Sequence, residues 1–257
     1  MSADGARVTT VEATMHRFML AELNTHRVFS RNSASSRAIP VARQIERVLD
    51  DPAMPVEFGG KQAGMQAGPP LEGAALDAAR AAWLDARDAA VESARRLVDL
   101  GVHKQIVNRV LEPFMWHTVI VTATDWDGFW SQRCSPLAQP EIRIVADAMR
   151  VAFEASTPSP VAPGDRHLPF VPDADRAEVS DREVLRRISA ARCGRVSYLN
   201  HAGRRDLDDD LRLYARFVDA QPAHASPLEH VATPADPGCV PAGNLRGWTQ
   251  LRHLVLN

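Results

Sequence analysis

Cysteine is scarce in this chain. Only Cys134, Cys193 and Cys239 occur in 257 residues, widely spaced and without a CxxC pair. A disulfide framework and a zinc knuckle are therefore not expected, and a reducing compartment fits. No run of about 18 apolar residues is present, so no membrane span is expected. The first residues carry no apolar signal core, and the expected location is cytoplasmic. A positive excess is missing too: the net charge is -2. That argues against a general binder of nucleic acid or membrane. Nothing reads GxGxxG, so no Rossmann turn is expected to hold a dinucleotide. No metal site is expected.

What remains is an ordinary globular composition, with 45% apolar and 24% charged residues. The length suits one large domain or two small ones. The spacing predicts a long helix over 71–100, because Ala79, Trp83, Ala90, Ala94 and Leu97 share one stripe. Gly101 is placed to end it. A second helix follows from about Val102, with Val102, Ile106 and Val110 spaced by four, and Pro113 limits it. Ile142, Val145, Met149 and Phe153 predict a third. Val184, Ile188 and Ala191 predict a fourth, and Leu211, Tyr214 and Phe217 a fifth. Strands are predicted over 7–13, 118–122 and 195–198. The class is α+β, with more helix than strand.

Two stretches read as irregular. Residues 58–70 are rich in glycine. Residues 157–175 hold Pro158, Pro160, Pro163, Pro169 and Pro172 and read as a long connection. That connection separates a first segment, 1–156, from a second, 176–257.

Between positions 17 and 47 stand six arginines, Arg17, Arg27, Arg31, Arg37, Arg43 and Arg47, opposed only by Glu22 and Glu46. Ser30, Ser33, Ser35 and Ser36 lie among them. Arginine is a forked, permanent cation and serine a compact hydroxyl, a pairing suited to phosphate oxygens. Read as a helix, 26–37 would put His26, Ser30 and Ser33 on one face, with Arg37 near it. The alternative is a solvated surface helix with scattered arginines.

The stretch THRVFSRNSASSR, 25–37, resembles the signature of the flavin-dependent thymidylate synthases, R-H-R, seven residues, S, with an internal S-x-N and a terminal S-x-R. His26, Arg27, Ser30, Asn32, Ser35 and Arg37 match. Thr25 and Ser33 depart, where the family has arginine and glutamate. Gln132, Arg133, Ala138, Gln139 and Glu141 resemble a second family segment. Asn108-Arg109-Val110-Leu111 through Pro113 resembles A-R-x-V-L-P. ARCGRVSY, 191–198, resembles A-A-R-V-S-Y with an insertion, and HASPLEH, 224–230, resembles H-x-[ST]-P-F-E-H. In the family the last two precede the signature, and here they follow it. The order resembles a circular permutation. Residues 246–252, RGWTQLR, resemble the helix R-Q-W-x-R-H-R, so two partial versions of that helix are present, over 17–37 and 242–254.

The resemblance implies a single helix-rich domain, 1–257, with a central, mostly antiparallel sheet. It implies methylation of dUMP to dTMP, with methylenetetrahydrofolate as carbon donor, FAD as hydride carrier and NADPH as reductant. Arg133 is then the catalytic residue at the pyrimidine carbonyls. Ser35, Arg37, Arg109 and Glu22 join it in holding the nucleotide. His26, Arg27, Asn32, Ser197, His224, Ser226, Arg246 and Arg252 are the FAD candidates. A homo-oligomer, a tetramer in the family, is implied. Two alternatives stay open. One is a relative that uses the same flavin site on another acceptor or transfers a different one-carbon unit, motivated by Thr25, Ser33 and Gly128. The other is a non-catalytic nucleotide-binding protein, which a colourless purified protein would favour.

Overall fold

The computed structural model describes residues 6–161, 164–196, 205–236 and 243–256, except for the Arg37 side chain. The elements run β1 (Thr9–His16), α1 (Leu20–Asn24), β2 (Ser30–Ser33), α2 (Val41–Asp50), α3 (Gly73–Asp99), α4 (Lys104–Val110), β3 (Trp116–Ala123), α5 (Asp127–Arg133) and α6 (Pro140–Ala155). After the proline-rich connection come α7 (Asp173–Glu178), α8 (Arg182–Arg195), α9 (Leu207–Asp219), β4 (Ala232–Pro234), β5 (Trp248–Gln250) and α10 (Leu251–Val255).

β3 organises the molecule. Its β-branched run His117-Thr118-Val119-Ile120-Val121-Thr122 suits a pleated, buried strand. It lies between β1 and β2, antiparallel to both, with Val11 opposite Val121 and Ser30 opposite Thr122. Side chains alternate across a sheet. Val119, Val121 and Ala123 pack with Ala146 and Met149 of α6 and with Phe129 of α5. Ile120 faces the other way, against Cys193 and Val196 at the end of α8. The first segment thus covers one face of the sheet and the second segment the other. A separate core of α2, α3 and α4, built on Val48, Val91, Val107 and Leu111, supports the turn that leads into β3.

The predicted helices are present. The long one ends as its sequence requires: Gly101 takes φ +78°, and its N–H reaches the Val98 carbonyl at 2.8 Å. The strands at 118–122 and, shifted by a few residues, at 7–13 are also present. The third predicted strand is not. Arg195 closes α8, Val196 follows in a left-handed conformation at φ 54°, and Ser197 and Tyr198 lie outside the described residues. The helical reading of 26–37 is overturned as well. Ser30–Ser33 form a strand, because the edge of β3 takes their backbone hydrogen bonds. None of the described helices is long and apolar enough to cross a membrane.

Candidate active site

Three stretches distant in sequence meet on β2. Gln250 of β5 donates from Nε2 to Ser30 Oγ at 2.7 Å and to the Glu229 carbonyl at 2.7 Å. Asn32 donates from Nδ2 to the Cys193 carbonyl at 2.6 Å. Ser226 donates to Asn32 Oδ1 at 3.2 Å. Arg252 forms an ion pair with Glu229. Both arginine-bearing stretches, 17–37 and 242–254, therefore reach the same strand.

At the start of β2 stands a cluster around His26. The ring lies edge-on to Phe129, with centroids 4.9 Å apart. Its Nε2 accepts a hydrogen bond from Arg133 Nε at 2.8 Å. Arg133 Nη2 also donates to Thr25 Oγ1 at 3.0 Å and to the Glu22 carbonyl at 3.3 Å. A guanidinium only donates, so the imidazole carries its proton on Nδ1. Burial first, then the charges of Arg133 and Arg31, bring the His26 pKa down to about 4. The ring is neutral at pH 7. Arg31 donates to the carbonyls of Asn24 and His26 at 3.0 Å each and caps the open end of α1. Glu22 holds a buried side-chain oxygen, Oε2, with no hydrogen-bond partner among the described residues. Such an acceptor is costly to bury unpaired. It suits a ligand that presents an N–H.

Beyond the other end of β2 lies a second cluster. Ser36, Arg17 and Arg109 all donate to Glu112 Oε1, at 2.8, 3.2 and 2.8 Å. Arg17 also contacts the His117 ring nitrogens through Nη1, at 3.0 and 3.1 Å. Burial and the Arg17 charge bring the His117 pKa down to about 4. A cavity of about 400 Å³ adjoins, lined by Ser36, Gln44, Arg47, Trp116, His117 and Thr118 among others. Gln44 Oε1 is buried there without a hydrogen-bond partner among the described residues.

The structure places the predicted residues unevenly. His26, Glu22 and Arg133 are brought together. Asn32 stands on β2 and Ser226 is brought to it, while Arg252 pairs with Glu229. Ser35 is exposed beside Ser36, and Arg109 lies on Glu112, beyond the end of β2 opposite the Arg133 cluster. Arg246 pairs with Asp125 at the surface, at 3.2 Å. Arg27 is exposed, and the exposed His224 sits with its ring 6.0 Å from Phe217. Ser197 and the Arg37 side chain lie outside the described residues. The sequence reading passed over Glu112, His117 and Gln44. A signal existed for Glu112, which stands before Pro113 where the family segment A-R-x-V-L-P has its leucine.

Across β3 and β1 a part-buried chain of polar groups joins the two segments. His230 Nδ1 contacts Thr122 Oγ1, Thr122 contacts Thr10 Oγ1, and Thr10 contacts His167 Nε2, each at 2.7 Å. Burial holds His230 down to about 3 and His167 to about 4. Neither thiol described is activated: burial raises Cys134 to about 11 and moves Cys193 upward. Cys239 lies outside the described residues.

A family model described as thymidylate synthase complementing protein matches residues 7–159. No curated protein matches the chain. Among solved structures, a UMP/dUMP methylase PolB from Streptomyces cacaoi, bound with 5-Br dUMP, is similar at 22% identity and TM-score 0.43. The match covers 57% of this chain and 65% of that one, less than two thirds of its length. The same methylase bound with 5-Br UMP gives the same identity and score, with 67% of that chain covered.

Proposed function

Because the chain belongs to the thymidylate synthase complementing protein family, we propose that it methylates dUMP to dTMP. Methylenetetrahydrofolate is the carbon donor, and NADPH is the reductant. The observation that carries this reading within the site is the group of Arg133, His26, Thr25 and Glu22. Arg133 is held by neutral His26 and by Thr25. It is tied to the Glu22 backbone carbonyl as well and presents a fixed positive charge. A guanidinium so held complements the carbonyl edge of uracil. The guanidinium stabilises negative charge on the pyrimidine carbonyls as the ring becomes nucleophilic at C5, and its preorganisation avoids rearrangement during the reaction. Thr25 replaces the family's arginine, yet its hydroxyl still serves to orient Arg133.

The donor chemistry on β2 fits FAD. Exposed Arg27, partly exposed Arg252, exposed Ser226 and half-buried Asn32 offer guanidinium, hydroxyl and amide groups to a diphosphate and its sugars. His26, Ser197, His224 and Arg246 complete the set. When bound, FAD supplies the hydride that finishes the methyl group. The protein's own part is to bind, orient and neutralise charge.

The chain reads as one permuted domain, because HASPLEH and β5 both dock on the signature strand. Ser35, Arg37 and Arg109 are the phosphate anchors in this reading. They lie beyond the opposite end of β2 from Arg133, so a complete site takes those anchors from a second copy, and the assembly is a homo-oligomer. The test is the visible spectrum of purified protein mixed with FAD. A flavin band that stays with the protein and shifts on adding dUMP supports the reading. A protein that retains no flavin sinks it.

A further inference from the structure

We propose that Arg31 is a positioning residue for Arg133: it clamps, from the main-chain side, the short turn whose side chains hold that guanidinium. The proposal rests on the reading above only for the contact of Arg133 with dUMP.

The turn is residues 22–26. Every hydrogen bond that Arg133 makes among the described residues ends on it. Nε donates to His26 Nε2 at 2.8 Å, and Nη2 donates to Thr25 Oγ1 at 3.0 Å and to the Glu22 carbonyl at 3.3 Å. The turn has little stiffness of its own. α1 has five residues, too few for a helix to persist in water by itself. Its closing backbone bonds, Thr25 N–H to the Glu22 carbonyl and His26 N–H to the Leu23 carbonyl, are both 3.2 Å, the upper end of the usual range.

Arg31 supplies what the helix end lacks. Its Nη1 donates to the carbonyls of Leu23, Asn24 and His26, at 3.3, 3.0 and 3.0 Å. Carbonyls at a helix end are short of partners, and a cation there is favourable as well. One turn is therefore gripped by two guanidinium groups, Arg133 mainly on its side chains and Arg31 on its main chain. Arg31 is itself anchored, because its backbone lies opposite Val121 of β3 in the sheet. Burial lowers its pKa, and the carboxylate of Glu229 opposes that shift. Glu229, the partner of Arg252, thus helps keep Arg31 charged from the second segment. Arg31 stands between Ser30 and Asn32, where the S-x-N pattern makes no demand, so the clamp belongs to this chain. Without it, the ring of His26 and the hydroxyl of Thr25 lose their fixed places. Arg133 then keeps its charge and loses its direction, and a charge that must reorient stabilises a transition state poorly.

Two variants of the full chain test this, Arg31→Met and Arg31→Gln. The first readout is nitrogen-15 NMR of His26 at pH 7.5. The parent should hold the proton on Nδ1, because Arg133 occupies Nε2. Both variants should shift toward a mixture of the two tautomers, which a purely structural cap would not cause. The second readout is kcat/KM for dUMP, expected to fall about tenfold, less than on removing Arg133 itself. The third is dUMP affinity in a double-mutant cycle. Arg31→Met should weaken binding in the parent and change nothing further in Arg133→Ala, since a residue acting through another has no effect once that one is gone. The proposal is overturned if His26 keeps its single tautomer in both variants, if the Arg31 and Arg133 effects simply add, or if circular dichroism shows both variants unfolded. A changed tautomer in the variants together with no dTMP from the parent would leave the clamp standing and sink the thymidylate reading. Parent and variants that form dTMP equally well would do the reverse.

Discussion

At the scale of single residues, the account turns on Arg133. Its Nε and Nη2 are committed to His26 and Thr25, which fix the plane of the guanidinium. Lysine has one point charge and cannot bridge both partners at that geometry. Arg133→Ala should lower kcat/KM for dUMP by about 10²-fold or more, the usual cost of removing one preorganised charge. Arg133→Lys should recover little of it. Steady-state rates of dTMP formation decide the matter, and full activity in either variant would remove Arg133 from the mechanism. Its partner His26 shows how local context sets chemistry. A histidine next to two arginines and an aromatic ring stays neutral, so its Nε2 accepts from Arg133 and orients it while Nδ1 keeps the one N–H.

At the scale of elements, α7, α8 and α9 are joined by charge buried out of water. Arg192 is fully buried, pairs with Asp175, and donates to Asp210 at 2.7 Å. Arg195 reaches the other Asp210 oxygen at 2.8 Å, and Arg205 reaches Asp175 at 3.2 Å. Removing one partner strands the others. Arg192→Met should therefore cost about 3–5 kcal/mol in a urea unfolding curve, although methionine is the more hydrophobic residue. A loss below 1 kcal/mol would show that the carboxylates find other partners.

The same elements show how much was legible in sequence. The stripe of Ala79, Trp83, Ala90, Ala94 and Leu97 specified α3, because long-period burial is written in spacing. β2 was not legible: Ser30–Ser33 has no apolar alternation, and only the open edge of β3 makes it a strand. α2 was hidden among arginines, although Ile45 and Val48 bury its inner face. The motifs around Arg133 and HASPLEH were visible as strings. The docking of HASPLEH on β2 was not, since it depends on contacts across about two hundred residues, such as Ser226 to Asn32. Glu112 was missed for a related reason. A carboxylate in place of a leucine has no meaning until Arg17, Ser36 and Arg109 arrive from elsewhere.

At the scale of the whole molecule, the three-stranded sheet comes from the first segment and the second segment packs on it, and the hydrogen-bonded chain from His230 to His167 runs through the join. Both histidines have folded-state pKa values well below the ordinary 6.5, His230 at about 3 and His167 at about 4. Between about pH 6.5 and 4 the unfolded chain binds protons that the folded chain refuses. Their contribution is therefore fully present above pH 6.5 and is lost as pH falls toward 4. The loss reaches about 1.4 kcal/mol per pH unit for each group in that window. Denaturant midpoints measured at pH 7.5 and 5.5 should fall on the acid side. Equal midpoints would mean that the two rings are not held neutral by folding.

The docking of the two segments also underlies the catalytic reading, since β2 carries the signature of one segment and takes HASPLEH of the other. The most direct measurement is dTMP formed from dUMP by the purified chain with FAD, methylenetetrahydrofolate and NADPH. The account predicts dTMP from the parent protein, with little or none from Arg133→Ala. A parent protein that binds FAD and dUMP yet forms no dTMP would contradict it.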